Sequence, residues 1–197
     1  MRTARSTDCM GLFAATLLWL VVAAQAPGPG AWLESSPPVN WNAPGAAIPQ
    51  APPPSSEVDP RCGTQERYSE SPEEDQVIDA GWRIFNAGQV GWGVRLVDGL
   101  VEYDGMCRPE QIQGFVFADG QFAGTISPAA MSARGDGVGR ILEMRGPANL
   151  SGQFVRYAPT DPLCCPSSVF GVEYRIDRSA NGPVLIPLSS KRVPTAN

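Results

Sequence analysis

Histidine is missing from all 197 residues, and lysine occurs once, at Lys191. The chain therefore has no imidazole to act as general base, proton shuttle or metal ligand. A Ser-His-Asp or Cys-His arrangement cannot be built from it. Its longest apolar run, Gly11 to Ala24, is shorter than the roughly 20 residues that span a bilayer comfortably. A cysteine placed just after that run for lipid acylation is also missing, since the only early one, Cys9, precedes it. Paired CxxC spacings are lacking, which argues against a thiolate zinc site. No catalytic, cofactor-binding or metal-binding residue is assigned on these grounds, and no cofactor is expected.

What the N-terminus does have is the layout of a secretory signal. Arg2 and Arg5 precede the apolar run, and small residues at Val22, Ala24 and Ala26 suit a signal peptidase. Residues 1–26 are read as a signal peptide, with an uncleaved anchor as the alternative, and the rest of the chain as extracytoplasmic: periplasm, envelope or medium. The whole chain has fifteen Lys/Arg against twenty Asp/Glu, net −5. Removal of Arg2, Arg5 and Asp8 leaves thirteen against nineteen, net −6. Such an acidic protein lacks the positive patch that nucleic acid or an anionic membrane would need. Membrane contact is expected only if the N-terminal segment is retained.

Residues 27–60 contain ten prolines in thirty-four positions and little apolar periodicity, the composition of an extended, disordered linker or arm. Trp32 and Trp41 stand out in it as aromatics expected to dock, preferably back onto their own domain. A single β-rich domain is expected over 61–188, with a flexible tail over 189–197. Its first element is read as a helix through SPEEDQVIDAGWRIFNAG. Ser71 caps it, Pro72 takes the first turn, Glu73 to Asp75 favour its positive end, and Val77, Ile78, Trp82 and Phe85 share a face.

Beyond that helix the pattern changes to strands and turns. Asp98-Gly99 and Asp119-Gly120 each separate two β-type runs and predict tight hairpin turns. Further strands are read at Arg140 to Met144, Ser151 to Ala158, Ser168 to Ile176 and Pro183 to Leu188. The expected fold is mainly β (α+β): an antiparallel β-sandwich or open barrel-like sheet with one N-terminal helix packed on it. The Arg134-Gly135-Asp136 triplet is read as a turn, and Asn149-Leu150-Ser151 as a sequon usable only by a cell with the glycosylation machinery.

Beyond the signal, four cysteines remain, Cys62, Cys107, Cys164 and Cys165, an even number that suits two disulfides in an exported protein. Three pairings exist. In an extended strand, neighbouring side chains face opposite ways, which favours a crossed arrangement with Cys62 and Cys107 each taking one of the adjacent pair. A bond between Cys164 and Cys165 would instead close a small ring, usable as a redox or ligand-gripping device, and would leave Cys62 to Cys107.

The segments EYDGMC, FVFADGQFAGT, RYAPTDPLCCPSS and VEYRI, with Cys62 and Ala80-Gly81-Trp82 ahead of them, together resemble the LppP/LprE lipoproteins of bacterial envelopes. The resemblance spans Cys62 to Ile176. It implies a small bacterial extracytoplasmic β-rich domain and brings no catalytic residue with it. The expected function is a non-enzymatic envelope or secreted domain that binds or spaces, with an unknown envelope protein or small ligand as partner. The alternative is a thiol-redox or small-ligand-binding protein that uses a Cys164–Cys165 bond.

Overall fold

The computed structural model describes residues 30–55, 60–132, 137–162 and 164–194. The signal segment and the Arg134-Gly135-Asp136 triplet lie outside them. The helix α1 (Pro72–Asp79) is followed by ten strands: β1 (Arg83–Gly91), β2 (Val94–Leu100), β3 (Glu102–Tyr103), β4 (Pro109–Glu110), β5 (Gln113–Ala118), β6 (Gln121–Thr125), β7 (Val138–Met144), β8 (Asn149–Arg156), β9 (Ser168–Ser179) and β10 (Gly182–Val193). All pairings are antiparallel. One sheet runs β1-β2-β5-β6, a second β10-β9-β8-β7, and β3 pairs with β4 in a small hairpin. Among the described residues the fold is mainly β with one α-helix, and the sheets are not closed into a barrel.

Strand periodicity explains the layers. On one face of the first sheet, Val94, Leu96, Val116 and Ala118 meet Leu150, Phe154, Phe170, Val172, Tyr174 and Leu185 of the second sheet. On its other face, Val97, Phe115 and Phe117 pack under Val77 of α1 and under Ala80 and Trp82. The first sheet is thus buried on both sides, which is why all six residues of β5 are buried.

The helix is shorter than its sequence predicts. Ser71 caps it by accepting from the Glu74 N–H (3.3 Å), but it ends at Asp79. Gly81 takes φ +88°, its N–H donating to Ile78 O (2.8 Å) and the Trp82 N–H to Val77 O (3.3 Å). This paired closure is the common glycine-dependent helix stop. Trp82 and Phe85 therefore belong to the approach to β1 and to β1 itself, not to a helical face, and Ile78 is exposed.

One of the two predicted turns is a turn: Asp119 and Gly120 have φ of +52° and +79°. The other is not, because Asp98 and Gly99 lie inside β2, paired with Gly114 and Gln113 of β5. The β1–β2 reversal is made one step earlier by Trp92 (φ +51°) and Gly93 (φ +72°). Gly99 is small for a different reason: a Cβ there would stand 2.8 Å from Phe115 Cε2 and 3.2 Å from Trp82 Cβ.

The domain boundaries also shift. The stretch expected to be disordered is a docked arm from residue 30 to 55. Trp32 and Trp41 meet edge to face at 5.0 Å, Trp32 meets Phe154 at 5.2 Å, and Leu33 is buried. Trp41 Nε1–H donates to Thr125 O (3.0 Å), and farther along Trp82 Nε1–H donates to Pro49 O (2.8 Å). The arm ends with Ser55 donating from N–H (2.8 Å) and Oγ–H (2.7 Å) to the buried Glu102 carboxylate. Its prolines leave few backbone donors to satisfy, so the arm gains its place from these aromatic and polar contacts. At the other end, β10 continues to Val193, so Lys191 is a paired strand residue opposite Gly171 and no tail begins at 189.

Candidate functional site

The cysteines pair as Cys62 with Cys107 and Cys164 with Cys165, so the crossed pairing is not formed. Its premise was an extended strand. Cys164 and Cys165 instead occupy a turn between β8 and β9, where the Cys165 N–H donates to Pro162 O (3.1 Å). Cys62 is buried with Phe85, Leu100 and Tyr103, and Cys107 closes against it from the β3–β4 hairpin. That hairpin loop is shaped by Asp104, whose Oδ1 accepts from the N–H groups of Met106 and Arg108, both at 2.9 Å.

The neighbouring cysteine pair is exposed at the apex of a loop held by Asp161. Asp161 Oδ2 accepts from the Ala158 N–H (2.7 Å) and the Ser167 N–H (2.8 Å), which draws the two arms of the loop together. Below it opens a groove of about 670 Å³, lined by the loop arms, the ends of β8, β9 and β10, and Leu33 and Glu34 of the arm.

The register explains the groove. Leu150, Phe154 and Arg156 of β8 face the same way as Tyr174, Phe170 and Ser168 of β9, and Ser190 and Arg192 of β10 stand opposite Val172 and Phe170. This is the face that the first sheet covers. Toward the Ser168 end it changes from apolar to polar and cationic, where the short 3₁₀ turn Ala31–Glu34 lies over part of it. Ser190 Oγ–H donates to Leu33 O (2.5 Å) and anchors that turn.

The polar contacts of the groove are few. Arg156 Nη1 pairs with Glu34 Oε1 at 2.7 Å, a carboxylate 67 % exposed. Arg192 Nη2 donates to Ser168 Oγ (2.7 Å) and Ser167 O (3.0 Å). The arrangement can hold a small polar group beside an apolar wall of Tyr157, Ala158 and Pro159, with Leu33 and Phe170 buried beneath. It contains no paired carboxylates, and among the described residues no cluster of three His, Cys, Asp or Glu could hold a metal.

The sequence-predicted site residues are therefore distributed. Cys164 and Cys165 stand on the loop over the groove; Trp32 packs on Phe154 and Trp41, and Trp41 bonds to Thr125 of β6, neither of them lining the groove. Cys62 and Cys107 belong to a separate buried cluster. Sequence reasoning passed over Glu34, Arg156, Ser168 and Arg192. The signal was there: the alternation that buries Phe154 and Phe170 puts Arg156 and Ser168 on the same inward face, where a charge is unusual.

The frame is that of a small two-sheet β domain with an N-terminal arm folded into it and a groove at the β8–β9 end. Residues 100–179 match the family model described as LppP/LprE lipoprotein. This supports the resemblance read from the sequence and points to an envelope-associated protein of unknown activity. The matched part runs from the end of β2 to the end of β9 and includes Cys107, Cys164 and Cys165. Cys62, Ala80-Gly81-Trp82, the arm, α1 and β10 lie outside it. No curated protein and no solved structure matches the chain.

Proposed function

We propose that the chain is an extracytoplasmic, envelope-associated binding domain with no catalytic chemistry of its own, and that it binds in the groove at the β8–β9 loop. The observation that supports this best is the inward-facing row Arg156, Ser168 and Arg192. These are polar groups on a face otherwise given to the core, left uncovered by the first sheet and bordered by an apolar wall. Concave sites with a few placed polar groups on a mostly apolar surface are the common form of small-ligand sites. Residues 30–55 are docked on the domain, which favours binding and makes spacing a lesser part of the reading.

The test is a titration of the isotopically labelled chain with a set of small soluble acids, bases and neutral compounds, followed by amide chemical shifts. Shifts concentrated at Tyr157, Ser168, Phe170 and Arg192 are expected. Shifts concentrated elsewhere, or chemical conversion of a compound by the chain, would reject the reading.

The exposure of Cys164 and Cys165 favours a second reading, thiol exchange. An external dithiol would attack the bond, leaving Cys164 and Cys165 as two thiols and itself oxidised to a disulfide. Alkylation and peptide mapping before and after treatment with a dithiol separate this from a static loop. Selective labelling of Cys164 and Cys165, with Cys62–Cys107 retained, supports exchange, and simultaneous opening of both bonds contradicts it.

A further inference from the structure

The proposal here rests on the groove being the binding site and names what it takes. We propose that its ligand is a small amphiphile carrying one oxyanion, a carboxylate or a phosphate, and that Glu34 is an internal substitute for that head group.

Charge is the first argument. The chain is acidic, net −5, yet the groove has two guanidinium groups, Arg156 and Arg192, against one carboxylate, Glu34. Among the described residues Arg192 has no carboxylate partner. The Ser167 carbonyl and Ser168 hydroxyl aim it, and that hydroxyl, accepting from Arg192, keeps its own proton for an anion.

Register is the second. Arg156 on β8 and Arg192 on β10 flank β9, and neighbouring strands lie about 4.8 Å apart. Arg156 stands beside Ser168, and Arg192, opposite Phe170, reaches back to the Ser168 hydroxyl, so the two long side chains can bracket one oxyanion, for which a planar guanidinium has the matching pair of donors.

The third is the weakness of what occupies the place now. The Glu34–Arg156 pair joins residues 122 apart in the chain, and its carboxylate is 67 % exposed. Exposed pairs of this kind contribute little, so a ligand anion can replace Glu34 at small cost, while Tyr157, Ala158 and Pro159, half-buried or exposed along the same groove, offer apolar surface to the rest of the molecule.

Calorimetric titration of the full-length chain at low salt with octanoate, octyl phosphate and inorganic phosphate tests this, alongside Glu34→Gln, Arg156→Gln and Arg192→Gln variants checked for unchanged melting. Octanoate or octyl phosphate should bind, and added salt should weaken the binding. Glu34→Gln should tighten it about two- to five-fold. Arg156→Gln and Arg192→Gln should each weaken it about tenfold or more. Binding by only one of the two amphiphiles assigns the head group to carboxylate or to phosphate. An unchanged or weaker affinity in Glu34→Gln would overturn the substitute role, and inorganic phosphate binding as tightly as octyl phosphate would overturn the amphiphile. If both anions fail while a neutral compound moves the Ser168 and Phe170 amides, the oxyanion falls and the groove remains the binding site. If no compound moves those amides, both fall together.

Discussion

The side chain of Asn42 fills the space beside Gly124 that a Cβ would need, and from there it joins the two sheets. Its Nδ2–H groups donate to Thr125 O and Leu185 O, both at 3.0 Å, and its Oδ1 accepts from the Thr125 N–H (2.9 Å). The edges of β6 and β10 are thereby tied by one amide from the arm. Asn42→Ala removes the side-chain partner of the Thr125 N–H and of Leu185 O in a half-buried place, while Thr125 O keeps the Trp41 Nε1–H, and a lost partner of this kind costs about 1–3 kcal/mol. A destabilisation of about 2–3 kcal/mol is expected in urea unfolding. A change within 0.5 kcal/mol would mean that water takes over the amide's role.

The composition of residues 27–60, which include the arm, reads as disordered because ten prolines leave no periodicity. Composition weighs apolar residues by number, whereas this arm is held by a few well-placed ones: Trp32, Leu33, Trp41 and the amide of Asn42. The two tryptophans marked it as a docking segment; Asn42 could not be singled out, since its partners lie about 80 and 140 residues away. Sheets and strands were legible from alternation, and the groove was not, because it depends on how far one sheet extends past another.

Gly99 and Gly120 both follow an aspartate, yet substitution should separate them. At Gly120 the backbone is left-handed and nothing stands within 4 Å of a built Cβ, so Gly120→Ala should cost only conformational strain, about 1–2 kcal/mol. Gly99→Ala would press on Phe115 and Trp82 in a packed layer, an overpacking cost of about 1–3 kcal/mol. The distinguishing readout is structural. Gly99→Ala should shift the near-ultraviolet signal of Trp82 and Gly120→Ala should not. The Asp-Gly dipeptide misleads here because glycine serves turns and tight packing alike.

Glu74 gives the acid dependence. It is buried, accepts from Arg67 Nη1 (2.9 Å) and Nη2 (2.7 Å), and takes the Glu70 N–H (2.7 Å). The Arg67 hydrogen bonds, partly opposed by burial, hold its carboxyl below the ordinary glutamate value. A lowered folded pKa contributes stability that is present above the unfolded value, about 4.3, and is lost as the pH falls through the folded one. Glu74→Gln should therefore lower stability at neutral pH by roughly 3 kcal/mol, as expected when one partner of a buried pair is removed. The difference between variant and parent should shrink as the pH falls below about 4. Unfolding curves at several pH values check this, and a constant difference across them would show that packing rather than charge sets the effect.

The two disulfides should differ in what their removal costs. Cys62 and Cys107 are 45 residues apart, so their bond constrains a long loop of the unfolded chain, worth about 4 kcal/mol on the chain-entropy account. Cys164 and Cys165 are adjacent, so their bond removes almost no loop entropy. Cys107→Ser should thus lower the melting temperature and the yield, while Cys164→Ser with Cys165→Ser should leave both nearly unchanged. If the second pair cost as much as the first, the loop over the groove would be a structural staple, the reading that strand alternation favoured for these cysteines. A silent change would leave the adjacent pair without a structural reason to be bonded, and that result would direct attention to what the exposed bond does at the mouth of the groove.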